Sequence, residues 1–136
     1  MFFKDVESLR DFAAEFAKTL SAPVCVALTG TLGAGKTEFA RAVIRAIAGS
    51  DTVVPSPTFT IVQEYEPRIS HFDLYRIKGA HELEEIGFFD AISKNIVLIE
   101  WPEIAAGFLP PKTIHITIRI KGRGREAIIS PSGEEV

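Results

Sequence analysis

A chain of 136 residues can build one compact domain with its own core and leaves little over for a second. With 46% hydrophobic and 24% charged residues it reads as an ordinary soluble globular protein, which argues against wholesale disorder. A formal net charge of −3 excludes a broad positive field for wrapping nucleic acid, so any link to RNA is local or runs through a partner.

The opening Met1-Phe2-Phe3-Lys4-Asp5 lacks a basic leader and a long apolar segment, and no later stretch approaches the ~20 apolar residues of a membrane span, which predicts a cytoplasmic location. Asp5 can cap a helix running to about residue 20, with Val6, Leu9, Ala13, Phe16 and Leu20 at steps of three or four. After Ser21-Ala22-Pro23, the unbroken apolar run Val24-Cys25-Val26-Ala27-Leu28 predicts a central strand covered on both faces. Cys25, the single cysteine, has no internal disulfide partner and is expected in that buried strand, in keeping with a reducing compartment.

The next residues, Gly30-Thr31-Leu32-Gly33-Ala34-Gly35-Lys36-Thr37, match the phosphate-binding pattern G-x-x-x-x-G-K-[ST] between a strand and a helix. The glycines let the backbone turn its N–H groups inward around phosphates, where a Cβ would obstruct the turn or the ligand. Lys36 would reach the β- and γ-phosphates, and Thr37, opening the helix, would place its hydroxyl on Mg²⁺ beside the positive end of the helix dipole. A glycine-rich turn that binds nothing is the bland alternative. The helix is expected over 36–48, with Phe39, Ala40, Val43, Ile44 and Ile47 on one face and Gly49 as its stop.

Val54-Pro55-Ser56-Pro57-Thr58 reads as a stiff extended loop. Residues 58–65 and 69–76 read as strands joined by Glu66-Pro67-Arg68 into an antiparallel hairpin. Period two puts His71, Asp73 and Tyr75 on one face of the second strand and Ser70, Phe72 and Leu74 on the other. The stretch 79–93 is helical in fragments, broken at Gly87, and Ile96-Val97-Leu98-Ile99 is another buried strand, ending in Glu100-Trp101-Pro102-Glu103. Beyond Pro110-Pro111 the alternation predicts Ile114, Ile116, Ile118 and Ile120 inward and Thr113, His115, Thr117 and Arg119 outward. A turn at 121–125, a short returning strand at 126–130 and a frayed tail at 131–136 complete the chain.

Holding a phosphate is not hydrolysing it; hydrolysis needs a second grip on the metal and a group that orients water. Glu100 ends an apolar strand as a Walker B acid does, although acids at strand ends are also common surface residues. Asp73 lies among apolar and aromatic residues and needs a partner: a lysine, an arginine or a hydrated Mg²⁺, with an ion pair to Arg68 or Arg76 as the structural alternative. Thr58 can present a hydroxyl or backbone N–H to a γ-phosphate and so sense its loss. Lys36, Thr58, Asp73 and Glu100 are therefore the candidate catalytic residues. Trp101 can stack on a ligand or partner, or serve a core or interface. His71, His81 and His115 share no metal-ligand spacing and are expected to be ordinary polar positions, and the basic stretch 121–125 can be a solvated turn or touch nucleotide or RNA.

With these motifs laid out, the chain from about residue 3 to 130 resembles the TsaE (YjeE) family of small bacterial P-loop ATPases needed for threonylcarbamoyladenosine modification of tRNA. The resemblance rests on Gly-Ala-Gly-Lys-Thr at 33–37, Pro-Ser-Pro-Thr-Phe at 55–59, Phe-Asp-Leu-Tyr-Arg at 72–76, Glu-Leu-Glu-Glu-Ile-Gly at 82–87 and Glu-Trp-Pro-Glu at 100–103, in that order. It implies a single α/β domain over 1–136: a three-layer P-loop nucleotide-binding fold whose mixed sheet has parallel core strands and an antiparallel part. It also implies ATP and Mg²⁺ as cofactors, with residues 30–37 around the nucleotide, Thr37 and Glu100 serving the metal, and Thr58 and Asp73 in the switch-like and catalytic region. The implied partners are the proteins TsaB and TsaD, with tRNA reached only through their complex, no membrane and no predicted self-association. The resemblance places the adenine pocket near Lys4 and the 121–125 hairpin. Thr31 departs from the acid expected in many relatives, a difference that bears on a partner contact more than on the phosphate grip.

Alternatives from other classes are a small-molecule P-loop kinase and a nucleotide-dependent binding module with little hydrolysis; a regulatory GTPase would carry an N-K-x-D motif, which the sequence lacks. P-loop proteins without a transition-state arginine turn over at about 10⁻⁴ to 10⁻³ per second, and supplying one adds about 10³ to 10⁵, so hydrolysis is expected to be slow alone and faster with partners.

Overall fold

The computed structural model describes residues 1–31, 33–55 and 61–131. Leu32, Thr58 with its neighbours 56–60, and the tail 132–136 lie outside the described residues, so the expectations placed on them stay expectations. A two-residue strand, β1 (Phe2–Phe3), is followed by helix α1 (Val6–Ala17), whose first turn is closed by Asp5 accepting a hydrogen bond from the Ser8 amide at 2.8 Å. The helix stops short of residue 20, yet Leu20 still packs on the core. Strand β2 (Val24–Thr29) leads through the glycine loop into α2 (Lys36–Ala48), which ends at Gly49 as the glycine stop predicts. Cys25 is buried in β2, and burial pushes its thiol up to about 11.

Strands β3 (Val62–Tyr65) and β4 (Ile69–Asp73) form the expected antiparallel hairpin, but β4 ends at Asp73 and does not run to 76, because the chain turns there, the Ile77 amide donating to the Leu74 carbonyl at 3.0 Å. Two short helices follow, α3 (Ala80–Glu85) and α4 (Phe88–Lys94), separated at Gly87, whose φ of +76° suits a residue without a Cβ. Strand β5 (Ile96–Glu100) is buried along its whole length and gives way to a 3₁₀ helix at Pro102–Phe108. The chain closes with a hairpin of β6 (Ile114–Lys121) and β7 (Gly124–Pro131).

All strands join one seven-stranded sheet in the order β1-β7-β6-β2-β5-β4-β3. The inner strands β6, β2, β5 and β4 run parallel, and antiparallel pairs complete both edges, so the sheet is mixed with a parallel core as expected. The core lies in two layers. On one face α1 and α2 pack Leu9, Ala13, Phe39, Val43 and Ile44 against Val26, Leu28, Leu98, Ile116 and Ile118. On the other, α3, α4 and the 3₁₀ helix pack Leu83, Phe88, Ala91 and Ala105 against Cys25, Phe72, Val97 and Ile99. Opposite faces of β2 and β5 thus feed opposite layers, which is why both strands read as unbroken apolar runs.

Three further sequence expectations need correction. Ile120 is half exposed, because it sits opposite Arg125 beside the hairpin turn, past the last isoleucine that the helices cover. Thr113, expected outward, is fully buried, its hydroxyl donating to the Pro110 carbonyl at 2.7 Å in the turn that precedes β6. The returning strand is longer than 126–130 because the antiparallel register holds from the turn to Pro131, and its outer edge takes up β1, which a two-residue segment could not announce by periodicity.

Phe39 is the hub of the first layer, fully buried with Phe12 and Phe16 at ring-centroid distances of 6.3 and 5.7 Å. Phe39→Ala should lower unfolding stability by about 3–5 kcal/mol, read as a fall in the urea midpoint with an unchanged slope.

Candidate functional site

The glycine loop leaves the C-terminal end of β2, a central parallel strand, and delivers its last residues to the start of α2. Gly33 and Gly35 take φ of +82° and +114°, a region that L side chains rarely adopt, and a Cβ at Gly35 would meet Leu9 Cδ2 of α1 at 3.0 Å. The Ala34 amide donates to the Thr31 carbonyl at 3.0 Å, closing a turn inside the loop. No side chain caps α2, so its first turn presents backbone donors and the positive end of its dipole to the loop's concave side.

Lys36 is almost fully buried, with Nζ donating to the Gly30 carbonyl at 2.6 Å and lying 3.3 Å from the centroid of the Trp101 ring. Burial pulls its ammonium below the ordinary lysine value, countered by the carboxylates of Glu100, Glu103 and Asp73. Trp101 takes this place because its backbone adopts the left-handed region at φ 56°, turning the chain off β5; its ring also rests on Tyr75, with centroids 4.9 Å apart.

Beside the loop, Glu100 is 2% exposed at the end of β5. The parallel register puts it opposite Leu28, so its side chain reaches the first turn of α2, where Thr37 Oγ1 donates to Oε1 at 3.0 Å. The other oxygen, Oε2, lies 2.7 Å from His71 Nε2, itself buried on β4. Asp73 stands opposite Glu100 in the β4–β5 register and accepts a hydrogen bond from the Tyr75 amide at 3.0 Å. Burial raises its pKa; the Tyr75 bond opposes this, the Glu100 charge adds to the rise, and His71 and Lys36 oppose it.

The structure therefore brings Gly30, Thr31, Gly33, Ala34, Gly35, Lys36, Thr37, Asp73 and Glu100 to one end of the sheet. Among the described residues Asp73 makes no ion pair, so the alternative of a salt bridge to Arg68 or Arg76 does not hold. Two further residues also belong here: His71, expected to be an ordinary polar position, and Arg125, from the 121–125 hairpin that the resemblance associates with the adenine pocket. His71 could have been found from its sharing a strand face with Asp73, two residues away. Arg125 donates from Nε to the Ala34 carbonyl at 2.9 Å and so braces the loop from β7; only its membership of the 121–125 basic stretch hinted at this. Arg41 is held by the Val54 carbonyl at 3.1 Å and by Glu38 at 3.0 Å.

A parallel-core sheet with a glycine loop leaving its centre, and an acid on the adjacent strand bonded to the loop's threonine, defines an α/β protein of the P-loop fold. Backbone comparison agrees: a crystal structure of Bacillus subtilis YdiB matches with a TM-score of 0.75 and 26% identity, covering 95% of this chain and 82% of that one. The family model described as "Threonylcarbamoyl adenosine biosynthesis protein TsaE" matches residues 3–127. The tRNA threonylcarbamoyladenosine biosynthesis protein TsaE of Rickettsia typhi is 42% identical over 114 residues, which span 82% of this chain and 79% of that protein. Its counterpart of the same description from Haemophilus influenzae is 39% identical over 126 residues, 86% of this chain and 79% of that protein. The chain belongs to the TsaE family, whose role lies in tRNA threonylcarbamoyladenosine biosynthesis. No helix among the described residues is long and apolar enough to cross a membrane.

The half-buried Asp73 carries a stability consequence. A carboxylate whose pKa folding raises above its ordinary 3.8 destabilises the fold in full above the raised value and not at all below 3.8. Asp73→Asn keeps an acceptor for the Tyr75 amide and removes the charge, so it should raise the melting temperature at pH 7, by about 4 °C for each kcal/mol relieved, and lose that advantage as the pH falls toward 4. Calorimetry of both proteins across pH 4–8 checks the sign.

Proposed function

We propose that this protein binds ATP with Mg²⁺ and hydrolyses it slowly, and that nucleotide turnover drives the TsaB–TsaD complex through its cycle in tRNA threonylcarbamoyladenosine formation. The observation that carries this reading is the contact between Thr37 and Glu100: a helix-opening hydroxyl and a strand-end carboxylate from neighbouring elements converge 3.0 Å apart beside the phosphate loop. Both are hard oxygen donors, and one hydroxyl with one carboxylate suits an ion that keeps several waters and takes its remaining ligands from phosphates. Bound there, Mg²⁺ would neutralise charge on the β- and γ-oxygens.

The chain's own groups then have distinct tasks. The loop amides and the start of α2 bind phosphate oxygens; Lys36 exchanges the Gly30 carbonyl and the Trp101 face for a phosphate oxygen; Thr37 and Glu100 hold the cation. Asp73 is placed next to Glu100 and its raised pKa suits it to accept a hydrogen bond from an attacking water and then its proton. Thr58 is the proposed γ-phosphate contact. Arg41 and Arg125 are already engaged with backbone carbonyls, which supports slow turnover until a partner supplies the missing positive charge.

Lys36→Ala should weaken nucleotide binding and remove hydrolysis, whereas Glu100→Ala should keep much of the binding while Mg²⁺-dependent turnover falls by about 10²-fold or more. Binding is followed with a fluorescent ATP analogue, and turnover as phosphate release with water as the only acceptor. Normal hydrolysis by Glu100→Ala would remove the metal assignment, and robust turnover by the isolated chain, unchanged by TsaB and TsaD, would remove the partner-driven reading.

A further inference from the structure

We infer that His71 is a positioning residue for Glu100, its Nε2–H holding Oε2 so that Oε1 is aimed at Thr37 and at the cation bound beside it. The inference rests on the proposed role of Glu100 and extends it to a residue with no assigned part. His71 Nε2 and Glu100 Oε2 are 2.7 Å apart with both side chains 3% exposed, so the contact is shielded from water. Register explains how they meet. In the β4–β5 pairing His71 lies opposite Leu98 and Asp73 opposite Glu100, so the imidazole reaches Glu100 along the diagonal, a distance that a long or aromatic side chain can span.

The two oxygens of Glu100 are thereby divided between two elements, Oε1 to α2 and Oε2 to β4, which fixes the plane of the carboxylate as a single contact could not. A carboxylate only accepts hydrogen bonds, so His71 carries a hydrogen on Nε2. That arrangement makes His71 a poor cation ligand, because the nitrogen facing the site is spent on Glu100 and Mg²⁺ prefers oxygen. The period-two face runs from Ile69 in the core through His71 to half-buried Asp73 at the mouth, so His71 lies where the packed core meets the charged site. Hydrogen bonding to a ligating carboxylate from behind is a known way to set ligand geometry, and its loss typically weakens metal binding by about 10–100-fold.

The test compares the wild-type chain with His71→Phe, which keeps a ring without a donor, and His71→Gln, whose amide can restore one. Affinity for a fluorescent ATP analogue is measured without metal, and then Mn²⁺ is titrated into the nucleotide complex. His71→Phe should bind metal-free nucleotide within about twofold of wild type while its Mn²⁺ affinity falls about 10–100-fold, and His71→Gln should recover most of that loss. Unchanged Mn²⁺ affinity in a folded His71→Phe overturns the inference, as does equal weakening in both variants. If wild type itself shows no metal-dependent binding, the reading of Glu100 as a metal ligand fails, a result distinct from any effect of His71. Should His71→Phe not fold, ¹⁵N-histidine NMR of the wild-type chain decides: a hydrogen on Nε2 that persists when Mg²⁺ and nucleotide are added supports the inference, and a bare Nε2 overturns it.

Discussion

The sheet is organised around a carboxylate that water scarcely reaches. Burying an unpaired carboxylate costs several kcal/mol, so Glu100 is tolerable at the end of β5 only because Thr37 and His71 stand ready for its two oxygens. Those partners arrive from different elements, and only if β5 pairs in parallel with β2 on one side and β4 on the other. A slip of β5 by one residue would turn the carboxylate to the opposite face, toward Phe72 and away from Thr37 and His71, and a slip of β4 would turn His71 away from it. The register that builds the core is thus the register that builds the site.

Around that carboxylate the charges are arranged without being neutralised by contact. Lys36 rests on a carbonyl and an aromatic face, both uncharged, while Asp73, Glu100 and Glu103 act on it from further off. Asp73 is half buried with a backbone amide as its partner. A site relaxed for its own sake would join these groups in salt bridges; here their charges stay unpaired by contact, as the proposed binding of ATP with Mg²⁺ requires. Burial of Asp73 costs stability at the mouth of the sheet, while Phe12, Phe16 and Phe39 pack together in the layer that α1 and α2 form with the sheet.

Much of this could be read from the chain. The buried strands β2 and β5 are continuous apolar runs, α2 is bounded by the loop and Gly49, and the hairpin of β3 and β4 is punctuated by Glu66-Pro67-Arg68, so each local signal agreed with its place in the fold. The placement of Glu100 beside the glycine loop followed from the same logic. What stayed hidden depends on register between distant segments. His71 and Glu100 are diagonal neighbours on adjacent strands, and Arg125 meets Ala34 across the sheet; neither relation leaves a trace in spacing along one chain. Ile120 misled for another reason: alternation reports a strand's two faces but not how far the covering helices extend.

Membership of the TsaE family fixes the pathway in which the protein works, and the geometry of Thr37 and Glu100 supplies the proposed chemistry. The most direct measurement is anomalous diffraction from the protein crystallised with Mn²⁺ and a non-hydrolysable ATP analogue. The account predicts one Mn²⁺ peak between the nucleotide phosphates, Thr37 Oγ1 and Glu100, with the hydroxyl a direct ligand and the carboxylate bound directly or through one water. A bound nucleotide with the metal elsewhere, and the Thr37–Glu100 hydrogen bond intact, would contradict it.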